Sequence, residues 1–287
     1  MQITILGGGL MGQAMAERLL AEQQNVTVFN RSLDKIESLR NLGADITNNA
    51  EQAVSKADII LLVLSDASAI ESVLAVISTD TLAGKLIVQM GTISPEQSQS
   101  IADRCRLQNA NYLECPVLGS LPEARSGTLI LMAGGDPDDF GAALPTLKLL
   151  GKQPQLIGQV GQAAAMKLAM NQLIAGLTAS FSLSLALIEN QGIDSDQFMS
   201  LLRNSALYAP TFDKKLDRMR DRDFTKPNFP TKHLAKDSRL FLAVAEQLHI
   251  DASSLEGIIK LLDKTESMGL ENTDYSAIYA AVSPDRK

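Results

Sequence analysis

Gln2-Ile3-Thr4-Ile5-Leu6-Gly7-Gly8-Gly9-Leu10-Met11-Gly12 opens the chain after Met1, and Ala14-Met15-Ala16-Glu17-Arg18-Leu19-Leu20 comes next. An apolar run of strand character enters a glycine turn, and the turn leads into a helical pattern. Glycines 7, 9 and 12 fall on the spacing G-x-G-x-x-G. Between a strand and a helix, such a turn aims backbone N–H groups and the helix dipole at the place a pyrophosphate would occupy. Gly7 is expected to permit the tight turn, Gly9 the close approach of phosphate, and Gly12 the close packing of helix on strand. Leu10 and Met11 offer their backbone at the same turn. The glycine spacing alone would be weak evidence, and its strand-and-helix context turns it into a dinucleotide site.

The residues after the second strand, Val26-Thr27-Val28-Phe29, bear on which dinucleotide is taken. An NAD site usually carries Asp or Glu roughly 20 residues beyond the glycines, bound to the ribose 2′-hydroxyl. Here Asn30-Arg31-Ser32 stands in that place. A carboxylate would repel a 2′-phosphate, whereas a guanidinium binds it by charge-assisted hydrogen bonds. Ser32 and Lys35 add donors, although Ser32 also suits the cap of a helix expected over residues 33–42. The cofactor expected is NADP(H) in preference to NAD(H), with NAD(H) still possible.

Strand-like and helical runs alternate up to about residue 160. Further strands are expected at Ile59-Ile60-Leu61-Leu62-Val63-Leu64, Leu86-Ile87-Val88-Gln89, Tyr112-Leu113-Glu114 and Leu129-Ile130-Leu131-Met132, with helices between them, including 68–76 and 95–107. The runs at 59–64 and 129–132 are continuously apolar, as in strands covered on both faces. The pattern predicts an α/β fold with a doubly wound parallel sheet, a Rossmann domain over residues 1–161. Beyond it strand signals vanish, and helices are expected over 162–190, 195–203, 211–221, 230–248, 254–268 and 274–282, an all-α domain over 162–287 led by a long helix.

The chain has 287 residues, 45% of them hydrophobic, enough for two domains. A net charge of −7 argues against a general nucleic-acid surface. The charge run at 213–223 mixes signs and reads as a solvated helix face. Two cysteines and two histidines give neither a disulfide framework nor a zinc ligand set, so no metal is expected. No signal peptide fits ahead of the first strand, and a cytoplasmic location is expected. Residues 173–188 are apolar but shorter than the ~20 residues of a membrane span, and they carry Thr178, Ser180, Ser182 and Ser184. They read as a helix buried nearly all round, between domains or between subunits of a homodimer or homotetramer.

If a nicotinamide exchanges the hydride, the protein must manage the proton on the substrate oxygen. Lys167 lies in the first turns of the long helix after Gly158 and Gly161, and Asn171, four residues on, shares its face. An ammonium there can stabilise an alkoxide and donate a proton, while an amide holds substrate or orients the lysine. The alternative for Lys167 is an ordinary lysine with its head in water. Lys236-Asp237 has no independent signature beyond its helical placement, and surface pairing explains it equally well. Pro116-Val117-Leu118-Gly119-Ser120 ends a strand, where N–H groups and the Ser120 hydroxyl can bind a carboxylate or merely turn the chain. Arg125 is a possible charge partner there, unless Glu123 neutralises it.

Taken in order, these segments resemble the β-hydroxyacid dehydrogenases, the family of 3-hydroxyisobutyrate dehydrogenase, and within it most closely the NADPH-dependent glyoxylate/succinic semialdehyde reductases. The resemblance rests on residues 7–12 with Met15-Ala16; Asn30-Arg31-Ser32; Leu64-Ser65-Asp66; Met90-Gly91-Thr92-Ile93-Ser94-Pro95; and 116–120 with Pro122-Glu123-Ala124. It continues through Gly158-Gln159-Val160-Gly161 with Lys167, Leu168 and Asn171, and ends on Phe229-Pro230, Lys232-His233 and Lys236-Asp237. It implies that Lys167 is the catalytic lysine and Asn171 its companion, that Lys236 reaches the cofactor, and that Asp237 stands beside substrate. It implies cofactor contacts at Leu64, Ser65 and Thr92, and a substrate-carboxylate loop at Leu118, Gly119 and Ser120. Relatives usually have serine where this chain has Leu118, so one hydroxyl donor is missing, and the 119 and 120 N–H groups or Ser120 itself are the candidates to replace it.

The activity implied is NADPH-dependent reduction of a small carboxylate-bearing aldehyde. Oxidation of 3-hydroxyisobutyrate or a related 3-hydroxy acid is the alternative, and a non-catalytic NADP-binding module a more distant one. Imine reductases share the architecture but usually lack the lysine.

Overall fold

The N-terminal apolar run forms the middle of a sheet. The computed structural model describes residues 1–284. Its strands are β1 (Gln2–Leu6), β2 (Asn25–Phe29), β3 (Asp45–Thr47), β4 (Ile59–Leu62), β5 (Leu86–Gln89), β6 (Asn111–Glu114), β7 (Val117–Leu118), β8 (Ile130–Gly135) and β9 (Gln155–Gly158). They form one sheet in the order β3-β2-β1-β4-β5-β6-β8-β7, with β9 also paired to β8. From β3 to β6 every pairing is parallel. The strand order reverses at β1, between β2 and β4, and the glycine turn leaves the carboxyl end of β1 at that switch point.

The continuous apolar runs arise because both faces of the sheet are covered. Ile59 and Leu61 join Ile3, Ile5, Val26 and Val28 on one face, packed with Met15 and Leu19 of helix Leu10–Ala21 and Leu147 of helix Pro137–Leu150. Ile60 and Leu62 join Leu6, Ile87 and Tyr112 on the other, with Ile70 of helix Ala67–Leu74 and Ile101 of helix Pro95–Leu107.

Two expectations need correction here. The sheet is not parallel throughout, since β8 runs antiparallel to both β6 and β7. The short helix Leu121–Ser126, closed by the left-handed Gly127, returns the chain at the same end of the sheet. A parallel partner would need a longer crossover. The helix expected over 33–42 is broken into a 3₁₀ turn, Leu33–Lys35, and a single α turn, Glu37–Arg40. Ile36 between them is fully buried with φ −118°, and Ser32 makes no side-chain cap. Burial of Ile36 outweighs helix continuity.

Two compact units result, Met1–Lys167 and the residues from Leu168 onward. The division falls inside the long helix Gln162–Asn190 rather than ahead of it, so Lys167 belongs to the first unit. In the second unit the helices are Ser195–Arg203, Pro210–Arg220, Thr231–Gln247, Ser253–Ser267 and Ile278–Val282, the last entered through a 3₁₀ turn, Tyr275–Ala277. Phe181, Leu185, Met199, Phe212, Leu216 and Tyr279 form one core, with Phe181 and Phe212 stacked at 4.7 Å. Ala175, Ala179, Leu234, Leu262 and Ile278 form another.

The long helix is buried on one face only: Leu173, Leu177, Leu183 and Leu187 are exposed at 54%, 38%, 57% and 61%. The charge run at 213–223 is not uniformly solvated either. Lys215 within it is buried, its Nζ 2.7 Å from the buried Asp274 and 4.1 Å from the centre of the Tyr275 ring.

Candidate active site

The three glycines of the first turn have different physical reasons. A Cβ on Gly7, whose φ is +121°, would lie 2.2 Å from the Val63 carbonyl oxygen, and one on Gly12 would lie 1.9 Å from that of Gly7. Both positions are closed to side chains by the protein's own backbone. A Cβ on Gly9 would meet nothing within 4 Å. Gly9 is the N-cap of helix Leu10–Ala21, makes no side-chain cap, and no acidic residue occupies the first turn. The first-turn N–H groups at Leu10, Met11 and Gly12 lie beyond the reach of intrahelical acceptors. An open cradle, N–H donors and a positive dipole end suit a dinucleotide pyrophosphate.

The loops after β1, β4 and β5 meet around this turn. The space a Gly7 side chain would need is occupied by Val63 and Leu64, and a Cβ on Gly91 would lie 2.4 Å from the Leu64 carbonyl oxygen. Leu64 and the Gly91-Thr92 turn are therefore in contact beside the glycines. Ser65 is exposed and donates its hydroxyl to Asp66 at 2.7 Å, while Asp66 caps helix Ala67–Leu74 by accepting from the Ala69 N–H at 2.8 Å. At the end of β2, Asn30 donates its side-chain amide to the Ser32 carbonyl at 2.7 Å, closing the loop. Arg31 and Lys35 are exposed beyond it, and Ser32 is half-buried.

The loop after β6 is arranged differently from the expectation. Leu118, half-buried, pairs with Ile130, and Gly119 has φ +140°. Ser120 donates both its N–H, at 2.9 Å, and its hydroxyl, at 2.5 Å, to the Glu123 carboxylate. Without substrate, both Ser120 donors are thus directed to Glu123. Arg125 pairs with Glu17 at 2.6 Å.

Lys167 is 8% exposed, which is not the ordinary lysine with its head in water. In the second unit Asn171 and Asp237 are both 2% exposed, and Asn171 donates its amide to Asp237 at 2.6 Å. Lys236 Nζ stands 3.0 Å from the other Asp237 oxygen. Asp237 is thus a buried carboxylate shared by an amide and an ammonium, not a surface partner. Asn171 and Asp237 are 66 positions apart in sequence.

Sequence reasoning missed Glu114. At the end of β6 it is 1% exposed. One of its oxygens accepts the N–H groups of Gly161 at 2.8 Å, Ala163 at 2.8 Å and Ala164 at 3.1 Å. The other accepts the Ser98 hydroxyl, and Tyr112 lies 2.9 Å from that hydroxyl. Burial pushes the Glu114 carboxyl above the usual carboxylate range, against the opposing pull of Ser98 and the three N–H groups. Burial likewise raises the Cys105 thiol to about 12, as expected of an inert core cysteine. A carboxylate inside a strand covered on both faces was the available signal, since such a group demands partners.

Comparison with known proteins agrees with this geometry. Residues 2–161 match the family described as the NAD binding domain of 6-phosphogluconate dehydrogenase. Residues 161–282 match that described as NAD-binding of NADP-dependent 3-hydroxyisobutyrate dehydrogenase. Glyoxylate/succinic semialdehyde reductase 1 of Arabidopsis thaliana is 32% identical, over 100% of both chains. The chloroplastic reductase 2 of the same plant is also 32% identical, over 98% of this chain and 79% of its own. The crystal structure of a 3-hydroxyisobutyrate dehydrogenase from Salmonella typhimurium shares the fold, with a TM-score of 0.87 at 23% identity over 97% of this chain and 98% of that one. A dinucleotide turn at a sheet switch point, succeeded by a helical unit of this kind, places the chain in the family of 3-hydroxyisobutyrate dehydrogenase-related enzymes, the NAD(P)-dependent hydroxyacid dehydrogenases and reductases.

Proposed function

We propose that this enzyme reduces a small aldehyde bearing a carboxylate, of the glyoxylate or succinic semialdehyde type, to the hydroxy acid, with NADPH as cofactor. The reading is carried by one observation: a buried lysine, Lys167, stands in the first turns of a helix that comes after the dinucleotide-binding sheet, one turn ahead of Asn171. Two relatives named for this activity, matched over 100% and 98% of this chain, support the substrate class. Absence of a carboxylate at residues 30–32, exposure of Arg31 and Lys35, and the NADP-dependent description of the second family support the cofactor.

When bound, the reduced nicotinamide supplies the hydride that the carbonyl carbon accepts. Residues of the chain manage everything else. The first-turn N–H groups at Leu10, Met11 and Gly12 hold the pyrophosphate, with Gly9 leaving the approach open. Arg31, Ser32 and Lys35 take the 2′-phosphate, with Asn30 shaping their loop. Leu64, Ser65 and Thr92 would border the nicotinamide ribose, and Lys236 would be a further cofactor contact. Lys167 delivers its proton to the substrate oxygen as the carbonyl becomes an alkoxide, and Asn171 holds that oxygen or the lysine in line. Asp237 fixes the Asn171 amide. Gly119 and its neighbours Leu118 and Ser120 border the substrate carboxylate, offering fewer side-chain donors than a serine at 118 would.

Oxidation of a 3-hydroxy acid by the same residues is the second reading, favoured by the name of the family matched over residues 161–282. A panel of small aldehydes with NADPH or NADH, and of hydroxy acids with the oxidised cofactors, monitored by nicotinamide absorbance, separates the two. Turnover of glyoxylate or succinic semialdehyde with NADPH, exceeding that of any 3-hydroxy acid, is the result expected. A clear preference for 3-hydroxyisobutyrate would replace the first reading with the second. The exposed leucines at 173, 177, 183 and 187 support assembly into a homodimer or homotetramer. Light scattering at the mass of one chain would contradict it.

A further inference from the structure

The long helix that carries Lys167 has no cap of its own. It is preceded by Gly158-Gln159-Val160-Gly161 and opens Gln162-Ala163-Ala164-Ala165, so no Ser, Thr, Asp or Asn stands at its start. Helix N-termini leave N–H groups that need acceptors, and a negative charge there also meets the positive end of the dipole. Here one acceptor comes from elsewhere in the chain: a single oxygen of Glu114 takes the N–H groups of Gly161, Ala163 and Ala164, from 47 to 50 residues away. Ser98 holds the other oxygen, and Tyr112 stands on Ser98 in turn. Gly134 on β8 completes the arrangement, since a Cβ there would lie 2.5 Å from the Glu114 oxygen. All of these residues belong to the first unit.

We infer that Glu114 is a positioning residue: its carboxylate, braced by Ser98, pins the start of the helix to strand β6 and so sets where the Lys167 ammonium stands. The linkage is short. Ala163, whose N–H is held by Glu114, is four residues before Lys167, so its carbonyl is the helical acceptor for the Lys167 N–H. A displacement of the first turn therefore moves Lys167 with it, and misplacement of a reacting group by about 1 Å can cost about 100-fold in rate. The three converging donors are answered by one carboxyl oxygen. The inference rests on the reading that Lys167 serves the substrate oxygen, and the test separates the two.

Full-length Glu114→Gln, Glu114→Ala, Ser98→Ala and Lys167→Met are compared with the unchanged enzyme. The assay uses glyoxylate and NADPH, with kcat expressed per NADPH-binding site so that misfolded protein does not count. Lys167→Met must lose turnover; if it does not, the lysine reading fails, whatever Glu114 does. Given that loss, Glu114→Gln is expected to lower kcat about 10-fold and Glu114→Ala about 100-fold, with Kd for NADPH changed by no more than about twofold. Amide hydrogen exchange at residues 163–167 should quicken in both, and the lysine-dependent limb of the kcat–pH profile should move in Glu114→Gln. Should Glu114→Ala fail to fold, Glu114→Gln and Ser98→Ala carry the same comparison. A lowered melting temperature with kcat per site, exchange at 163–167 and the pH limb all unchanged would show a purely structural acid and overturn the inference.

Discussion

Asn171 donates its side-chain amide to the carboxylate of Asp237 across 2.6 Å, with both side chains out of solvent and Lys236 closing on the opposite oxygen at 3.0 Å. A buried carboxylate shared in this way holds an amide in one orientation. Asp237→Ala removes a buried acceptor of the Asn171 amide, at a cost of about 1–3 kcal/mol of stability. The expected signature is lower kcat/KM for the aldehyde, with NADPH affinity retained in the folded fraction. Unchanged kinetics in a folded variant would remove Asp237 from the site.

Glycines 7, 9 and 12 should respond differently to alanine. Gly12→Ala drives a methyl to within 1.9 Å of the Gly7 carbonyl oxygen, and should destabilise the fold by about 1–3 kcal/mol or more. Gly9→Ala meets open space at φ −73°, so stability should move by no more than about 1 kcal/mol. Its methyl nevertheless covers the N–H groups that receive phosphate, and NADPH affinity should fall by about 10-fold or more. Thermal melts together with NADPH titration read both effects. Normal NADPH binding by Gly9→Ala would place the pyrophosphate elsewhere.

Arg31→Ala tests the choice of cofactor. Loss of a charge-assisted contact to the 2′-phosphate should lower kcat/KM for NADPH by about 10- to 100-fold and leave NADH almost untouched. The difference should shrink at high salt, because Arg31 is exposed. Equal losses with both cofactors would count against a 2′-phosphate contact.

The buried pair Lys215–Asp274 is a matter of stability rather than catalysis. Asp274 also accepts the Ser276 N–H at 3.1 Å and its hydroxyl at 2.8 Å, so its removal strands several donors. Burial holds the Lys215 ammonium below the usual lysine range, against the opposing pull of Asp274. Asp274→Ala should cost about 3–5 kcal/mol in denaturant unfolding, and adding Lys215→Met should recover part of it. A loss below about 1 kcal/mol would mean that water reaches the pair.

Most of the architecture was legible because its signals are local. The helices of the second unit declare themselves by periodicity, and the glycine turn is readable because its three constraints lie within six residues. The parts that escaped reading are short, exposed or non-local. Strand β3 has three residues and β7 two, and Gln155 and Leu156 of β9 are exposed, so none shows a burial pattern. Ile36 broke an expected helix because its packing partners lie in another element. Lys215 read as solvated because Asp274 is 59 residues away. The carboxylate of Glu114 inside a buried strand signalled a need for partners without naming them, and Asp237 gave no local hint, because in both cases the partners come from distant parts of the chain.

The central claim is that Lys167 supplies the proton to the substrate oxygen. Lys167→Met, similar in length but unable to donate, is the direct measurement: steady-state turnover of glyoxylate with NADPH, alongside NADPH titration of the same preparation. A fall in kcat of about 100- to 10,000-fold, with NADPH binding intact, is the result predicted. Near-normal kcat in a variant that binds NADPH would contradict it and remove Lys167 from the mechanism.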